Sequence, residues 1–115
     1  MRSDPKPPAR LPKELLAPWL LLLLELRPGY GYEMRRGLLE RGFHADPSSV
    51  YRNLREMEAQ GLVASHWTDE SEGPKRRVYT LTDRGRAELE ESATAFRKAR
   101  NAQSAFLRAY KAGVA

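Results

Sequence analysis

Four polar side chains within one short run, Ser48, Ser49, Arg52 and Arg55, have the types and spacing to grip a polyanion. At about 3.6 residues per turn, Val50, Leu54, Met57 and Gly61 fall on one side of a helix, and Ser48, Arg52 and Arg55 lie roughly opposite. Serine hydroxyls at a helix start can donate to phosphate oxygens together with free backbone N–H groups, where the helix dipole also helps. Arg52 can take a guanine edge with two parallel hydrogen bonds, or simply a phosphate. Tyr51 stands at the border of the apolar stripe, so its ring either packs or touches DNA, and its hydroxyl can reach a phosphate in both cases. The plain alternative is a solvated helix face, on which Glu56 also lies.

A second cationic run, Lys75, Arg76 and Arg77, follows Gly73-Pro74 between two strand-like segments. Three consecutive cations at a hairpin suit a sugar-phosphate backbone or a minor groove. The acids Asp69, Glu70 and Glu72 on the other limb offer the alternative that the charges neutralise one another. Alternation puts Arg77, Tyr79 and Leu81 on one face and Arg76, Val78 and Thr80 on the other, leaving open which arginine projects outward.

The rest of the composition removes competing chemistries. The chain has 115 residues, 41 % apolar and 30 % charged, with 20 Lys+Arg against 15 Asp+Glu for a formal charge of +5. That balance favours a polyanionic partner without proving one. The absence of Cys removes disulfides and thiolate chemistry and fits a reducing cytosol, and two histidines make a metal site unexpected. There is no nucleophile elbow, no P-loop and no cluster of His with carboxylates, so neither an enzyme nor a cofactor is expected.

These side chains need elements to position them. Met1 to Pro12, with four prolines and three basic residues, reads as a flexible N-terminal arm, either disordered or touching DNA backbone. A first helix runs to about Leu26 and stops at Arg27-Pro28-Gly29. A second spans about Gly31 to Arg41, and Gly42 terminates it. Asp46 as N-cap and Pro47 at the first helical position open the third, and Gly61 ends it. Leu62 to Thr68 and Arg76 to Leu81 are strands about a turn at Asp69 to Lys75. Thr82-Asp83 then caps a last helix to about Lys111, about 45 Å long. The chain is thus mainly α with a small β-hairpin, in the order of a winged helix-turn-helix with an added C-terminal dimerisation helix. The arm occupies residues 1–12, the winged helix 13–81 and the C-terminal helix 82–112.

Pairing of two chains follows from unpartnered apolar faces. The run Leu15 to Leu26 carries Glu25 and Pro18 and falls short of the roughly 20 apolar residues of a membrane span. Burial by its own domain and by a second subunit explains it better, with Leu16, Trp19, Leu20 and Leu23 in the seam. In the last helix Leu89, Ala93, Phe96, Ala99, Phe106 and Tyr110 recur at coiled-coil spacing, with Gln103 in the remaining slot. A homodimer is therefore expected. Trp19 and Trp67 are expected to be core, and Trp19 with Phe96 near the seam also fits a flat hydrophobic effector.

The chain resembles the PadR-like transcriptional regulators, in particular the short members with one C-terminal helix. The matching residues are Gly31-Tyr32-Glu33-Met34, Ser49-Val50-Tyr51, Leu54, Glu58, Gly61-Leu62-Val63, Trp67, Gly73-Pro74, Arg77, Tyr79, Leu81-Thr82 and Gly85. The resemblance implies a cytoplasmic homodimeric repressor on a palindromic operator, with third helices in successive major grooves and wings on the flanking backbone. It also implies small aromatic or drug-like effectors held between subunits. Two positions depart from the family's usual pattern: Arg52 stands where a proline often follows the tyrosine, and the last helix carries Phe96 and Tyr110 rather than tryptophans. A different class, a protein-interaction module on the same scaffold with solvated cations, remains open at this level.

Overall fold

The computed structural model describes residues 6–68 and 73–114. The acids Asp69, Glu70 and Glu72 of the expected turn, and Arg2 of the arm, lie outside them. The elements are β1 (Ala9–Arg10), α1 (Lys13–Leu26), α2 (Gly31–Glu40), β2 (Phe43–His44), α3 (Pro47–Ala59), β3 (Val63–Trp67), β4 (Arg77–Leu81) and α4 (Asp83–Val114). This is the winged helix-turn-helix order, mostly helical with one small hairpin.

The arm is shorter than its proline content implies. Ala9 and Arg10 pair in parallel with Phe43 and His44, the Ala9 N–H donating to Gly42 O at 2.9 Å and the Leu11 N–H to His44 O at 3.1 Å. Leu11 is buried in the core. One apolar residue among prolines is enough to anchor the strand, so residues 9–12 belong to the folded domain.

In α1 the leucines divide into two stripes. Leu16, Leu20 and Leu23, expected at a subunit seam, are 5, 0 and 8 % exposed and fill the chain's own core. Leu15, Trp19 and Leu22 form the other stripe and lie toward α4. A helix apolar on nearly every side carries no pattern that says which stripe turns inward. Within the core, complete burial of Leu20, Leu38 and Leu54 removes each side chain from water, a gain of about 1.5–3 kcal/mol apiece.

The helix ends are built locally. The Tyr30 N–H donates to the Glu33 carboxylate at 2.9 Å, which starts α2. Asp46 starts α3 with extended backbone, its carbonyl accepting from Val50 N–H at 3.1 Å, but its side chain makes no cap. That carboxylate instead faces Arg10 at 3.5 Å. At the other end Gly61 has φ +79°, Gly61 N–H donates to Glu58 O at 3.0 Å, and Leu62 N–H donates to Met57 O at 2.9 Å. That pair of bonds is the Schellman stop, which needs the left-handed glycine.

The hairpin β3–β4 is antiparallel, with Val63 opposite Leu81 and Trp67 opposite Arg77. A third, one-residue strand joins it: Gly29 and Tyr79 exchange backbone hydrogen bonds of 3.2 and 2.8 Å. The wing is thereby stapled to the α1–α2 turn. Along β3 burial fades from Val63 through Ser65 to Trp67, which is 54 % exposed. Trp67 is therefore not a core residue, because the hairpin has left the helical layer by that point.

Thr82 caps α4 as expected, accepting from Gly85 N–H at 3.0 Å. Arg86 ties α4 to α1, reaching Glu25 at 2.9 Å and Asp83 at 2.7 Å. The hydrogen bond and charge of Glu25 hold the Arg86 guanidinium above its ordinary pKa. With 32 residues α4 extends about 48 Å, and beyond Ala93 nearly all of it is exposed. The radius of gyration, 17.7 Å, is well above the ~13 Å of a compact chain of this size. The projecting helix accounts for the excess.

Candidate nucleic-acid interface

The start of α3 presents an anion-receiving edge. Pro47 has no N–H to satisfy, and Asp46 leaves the first-turn amides of Ser48 and Ser49 without a side-chain cap. Ser48, Arg52 and Arg55 are exposed, while Val50, Leu54 and Met57 point into the core, so the division expected from the spacing holds. Ser49 is half-buried and its carbonyl accepts from Asn53 Nδ2 at 2.8 Å. On the far flank of the helix Ser65 donates to the Glu58 carboxylate at 2.8 Å, which ties α3 to β3.

Tyr51 packs. Its ring lies so close over Gly31 that a Cβ there would run into it, which explains a glycine at the first position of α2. The ring is still 37 % exposed and faces a groove shared with the wing.

Both wing arginines rest on aromatic rings. Arg76 stands 5.7 Å from the Tyr30 ring centre and 5.3 Å from that of Tyr32, and its Nη1 donates to the Tyr32 hydroxyl at 2.9 Å. Arg77 lies 5.3 Å over Trp67. Tyr79 closes the floor of the groove. Burial raises its pKa, with Arg77 pulling the other way, so its hydroxyl stays protonated at neutral pH. The groove of about 520 Å³ thus joins α2, α3 and the wing in one basic, aromatic surface with Lys75 at its rim.

Sequence reading missed Tyr30 and Tyr32 as part of this surface. Their rings stack at 5.5 Å and 10° only because Gly31 between them starts a helix, and Arg76 is 44 residues away from Tyr32. No local spacing signals such a contact.

A second concave region of about 600 Å³ lies between α1 and α4, lined by Leu15, Trp19, Leu22, Leu89, Ala93 and Phe96 among others. Trp19 is half-buried there, its ring 6.2 Å from that of Phe43. Of the seam expected along α4, Leu89 packs on the core. Phe96, Phe106 and Tyr110 are 43, 67 and 61 % exposed.

Three helices, the third ending in a hairpin that is stapled back to the α1–α2 turn, and a long trailing helix define a winged helix-turn-helix of the transcription-regulator type. The chain belongs to the Transcriptional regulator PadR-like family, whose sequence model matches residues 20–91. A PadR family transcription regulator from hypervirulent Clostridium difficile is 28 % identical, with TM-score 0.75, covering 81 % of this chain and 98 % of that one. A PadR family regulator from Eggerthella lenta superposes with TM-score 0.77 at 27 % identity, over 83 % of each chain. Bacillus subtilis PadR, solved in complex with operator DNA, is 26 % identical with TM-score 0.63, covering 71 % of this chain and 48 % of that one.

Proposed function

We propose that the protein is a cytoplasmic homodimeric repressor that sets α3 of each copy in the major groove of a palindromic operator, with the wing on flanking backbone. The observation that carries this reading is the uncapped start of α3, with Ser48, Arg52 and Arg55 exposed and Ser49 half-buried, on a helix whose Tyr51 lines the groove of the basic wing. Ser48 and Ser49 with their amides position the helix on phosphates, and Arg52 reads a base edge. Arg55, Lys75 and Arg77 supply cationic contacts, with Arg76 beside them on the Tyr30 and Tyr32 rings, and Tyr51 contributes its hydroxyl edge. The likeness to a PadR solved in complex with operator DNA supports duplex DNA as the partner.

Dimerisation is the second half of the reading. The α1–α4 concavity and the exposed stripe Phe96, Phe106 and Tyr110 form one apolar face along a helix that outruns its own domain. A second copy related by a two-fold axis would cover it and set two α3 helices apart for two half-sites. The same concavity has the size and apolar lining of a small-ligand site, so a flat aromatic effector held by Trp19 and Phe96 would act at the seam.

Replacing Arg52 by Ala tests the reader directly. Specific duplex affinity is expected to fall by about 1–3 kcal/mol, on the order of 5- to 150-fold, with non-specific binding falling far less. Equal losses on operator and random duplex would show that Arg52 touches only backbone.

A further inference from the structure

The wing projects beyond the rows that anchor it. Gly29 holds the sheet at Tyr79, yet the basic residues lie two to four positions further out, on a two-stranded ribbon. Such ribbons are marginal by themselves. Within the ribbon the Thr68 N–H donates to Arg76 O at 2.9 Å, and the Arg76 N–H to Thr68 Oγ1 at 3.2 Å, so the backbone of Arg76 moves with both strands. Its side chain leaves the ribbon altogether and ends on α2.

We propose that Tyr32, backed by Tyr30, is a positioning residue that latches Arg76 and thereby fixes the angle of the wing to α3. Tyr51 of α3 packs on Gly31, Gly31 sits between the two stacked tyrosines, and their rings and the Tyr32 hydroxyl hold the guanidinium. A chain of contacts thus runs from the recognition helix to the wing through α2. A guanidinium suits this seat because its several N–H donors on one broad, delocalised group reach the Tyr32 hydroxyl while its centre stays 5.7 and 5.3 Å from the two ring centres; an ammonium is a compact point charge. On this assignment Arg76 is committed to α2, and Lys75 and Arg77 are the wing cations left to meet a partner. The latch rests on reading α3 and wing as one DNA-facing surface, but the contact itself is testable without DNA.

The chain has two tryptophans, so Trp19→Phe leaves Trp67 as the sole reporter, in the wing. Time-resolved anisotropy of Trp67 in this background, without DNA, is expected to show a larger nanosecond amplitude in Tyr32→Ala and Arg76→Ala. Tyr32→Phe, which keeps the stacking and loses the hydrogen bond, is expected between them and the parent. Unchanged anisotropy in all three, with thermal unfolding intact, overturns the latch. On duplex DNA, Tyr32→Ala is expected to bind about tenfold more weakly with an unaltered slope of log affinity against log salt, since a neutral residue releases no counterion. Arg76→Lys, which keeps the charge, should match that loss. If it binds like the parent, Arg76 is a phosphate contact and the latch is wrong. If the parent binds no duplex, the proposed DNA reading fails while the anisotropy still decides the latch.

Discussion

Phe96→Glu is expected to leave the fold intact and convert the proposed dimer to monomers. Phe96 is 43 % exposed in the single chain, so its replacement opens no cavity in the core. Its ring lines the α1–α4 concavity with Trp19, Leu22 and Ala93, the face the proposed dimer would cover. A carboxylate placed there without a partner costs about 3–5 kcal/mol, as for a buried ion stripped of its mate, and a two-fold axis enters the cost twice. Dimer affinity should fall by about four orders of magnitude or more. Sedimentation equilibrium reads that change, and duplex affinity should fall with it because one winged helix covers half a site. A variant that stays dimeric would place the seam elsewhere, with circular dichroism as the check that α4 is still helical.

Gly85→Ala should lower stability although alanine is the better helix former by about 1 kcal/mol. In the first turn of α4 a Cβ on residue 85 would overlap the carbonyl oxygen of Leu62 and come 2.6 Å from Leu81 Cδ1. The carbonyl cannot give way, because it accepts from Thr82 N–H at 3.1 Å and from Thr82 Oγ1 at 2.9 Å. The start of α4 must move outward instead, straining the cap and the Arg86–Glu25 bridge. Overpacking of this kind costs about 1–3 kcal/mol, a drop in Tm of about 5–15 °C. Thermal denaturation measures it. A Tm at or above that of the parent would show that helix propensity outweighs the contact.

Much of the fold was legible in the residues because its determinants are local. Glycines at 42 and 61 stop helices, Pro47 opens one, Thr82 caps another, and periodicity divides α3 into core and outer faces. The hairpin followed from its β-branched and turn residues. What escaped depends on contacts distant in sequence. The leucines of α1 look alike, and only packing tells Leu20 from Leu22. Ala9–Leu11 reads as arm until Phe43 and His44 offer an edge to pair with. Asp46 has the side chain of a cap, yet its carboxylate turns to Arg10. Trp67 reads as core by its size, but its place at the end of β3 puts it outside the helical layer, under Arg77. The outer side of α3 was the part of the candidate site that spacing could locate, whereas the tyrosine seat of Arg76 joins residues on opposite sides of the recognition helix.

The central claim, a duplex-DNA reader whose hold is on phosphates, is tested most directly by the salt dependence of its affinity for a duplex enriched from a random pool. Arg55, Lys75 and Arg77 from two copies give about six cationic phosphate contacts on this account, so affinity should fall by about 10³ between roughly 50 and 200 mM salt. An affinity that barely changes across that range would contradict it.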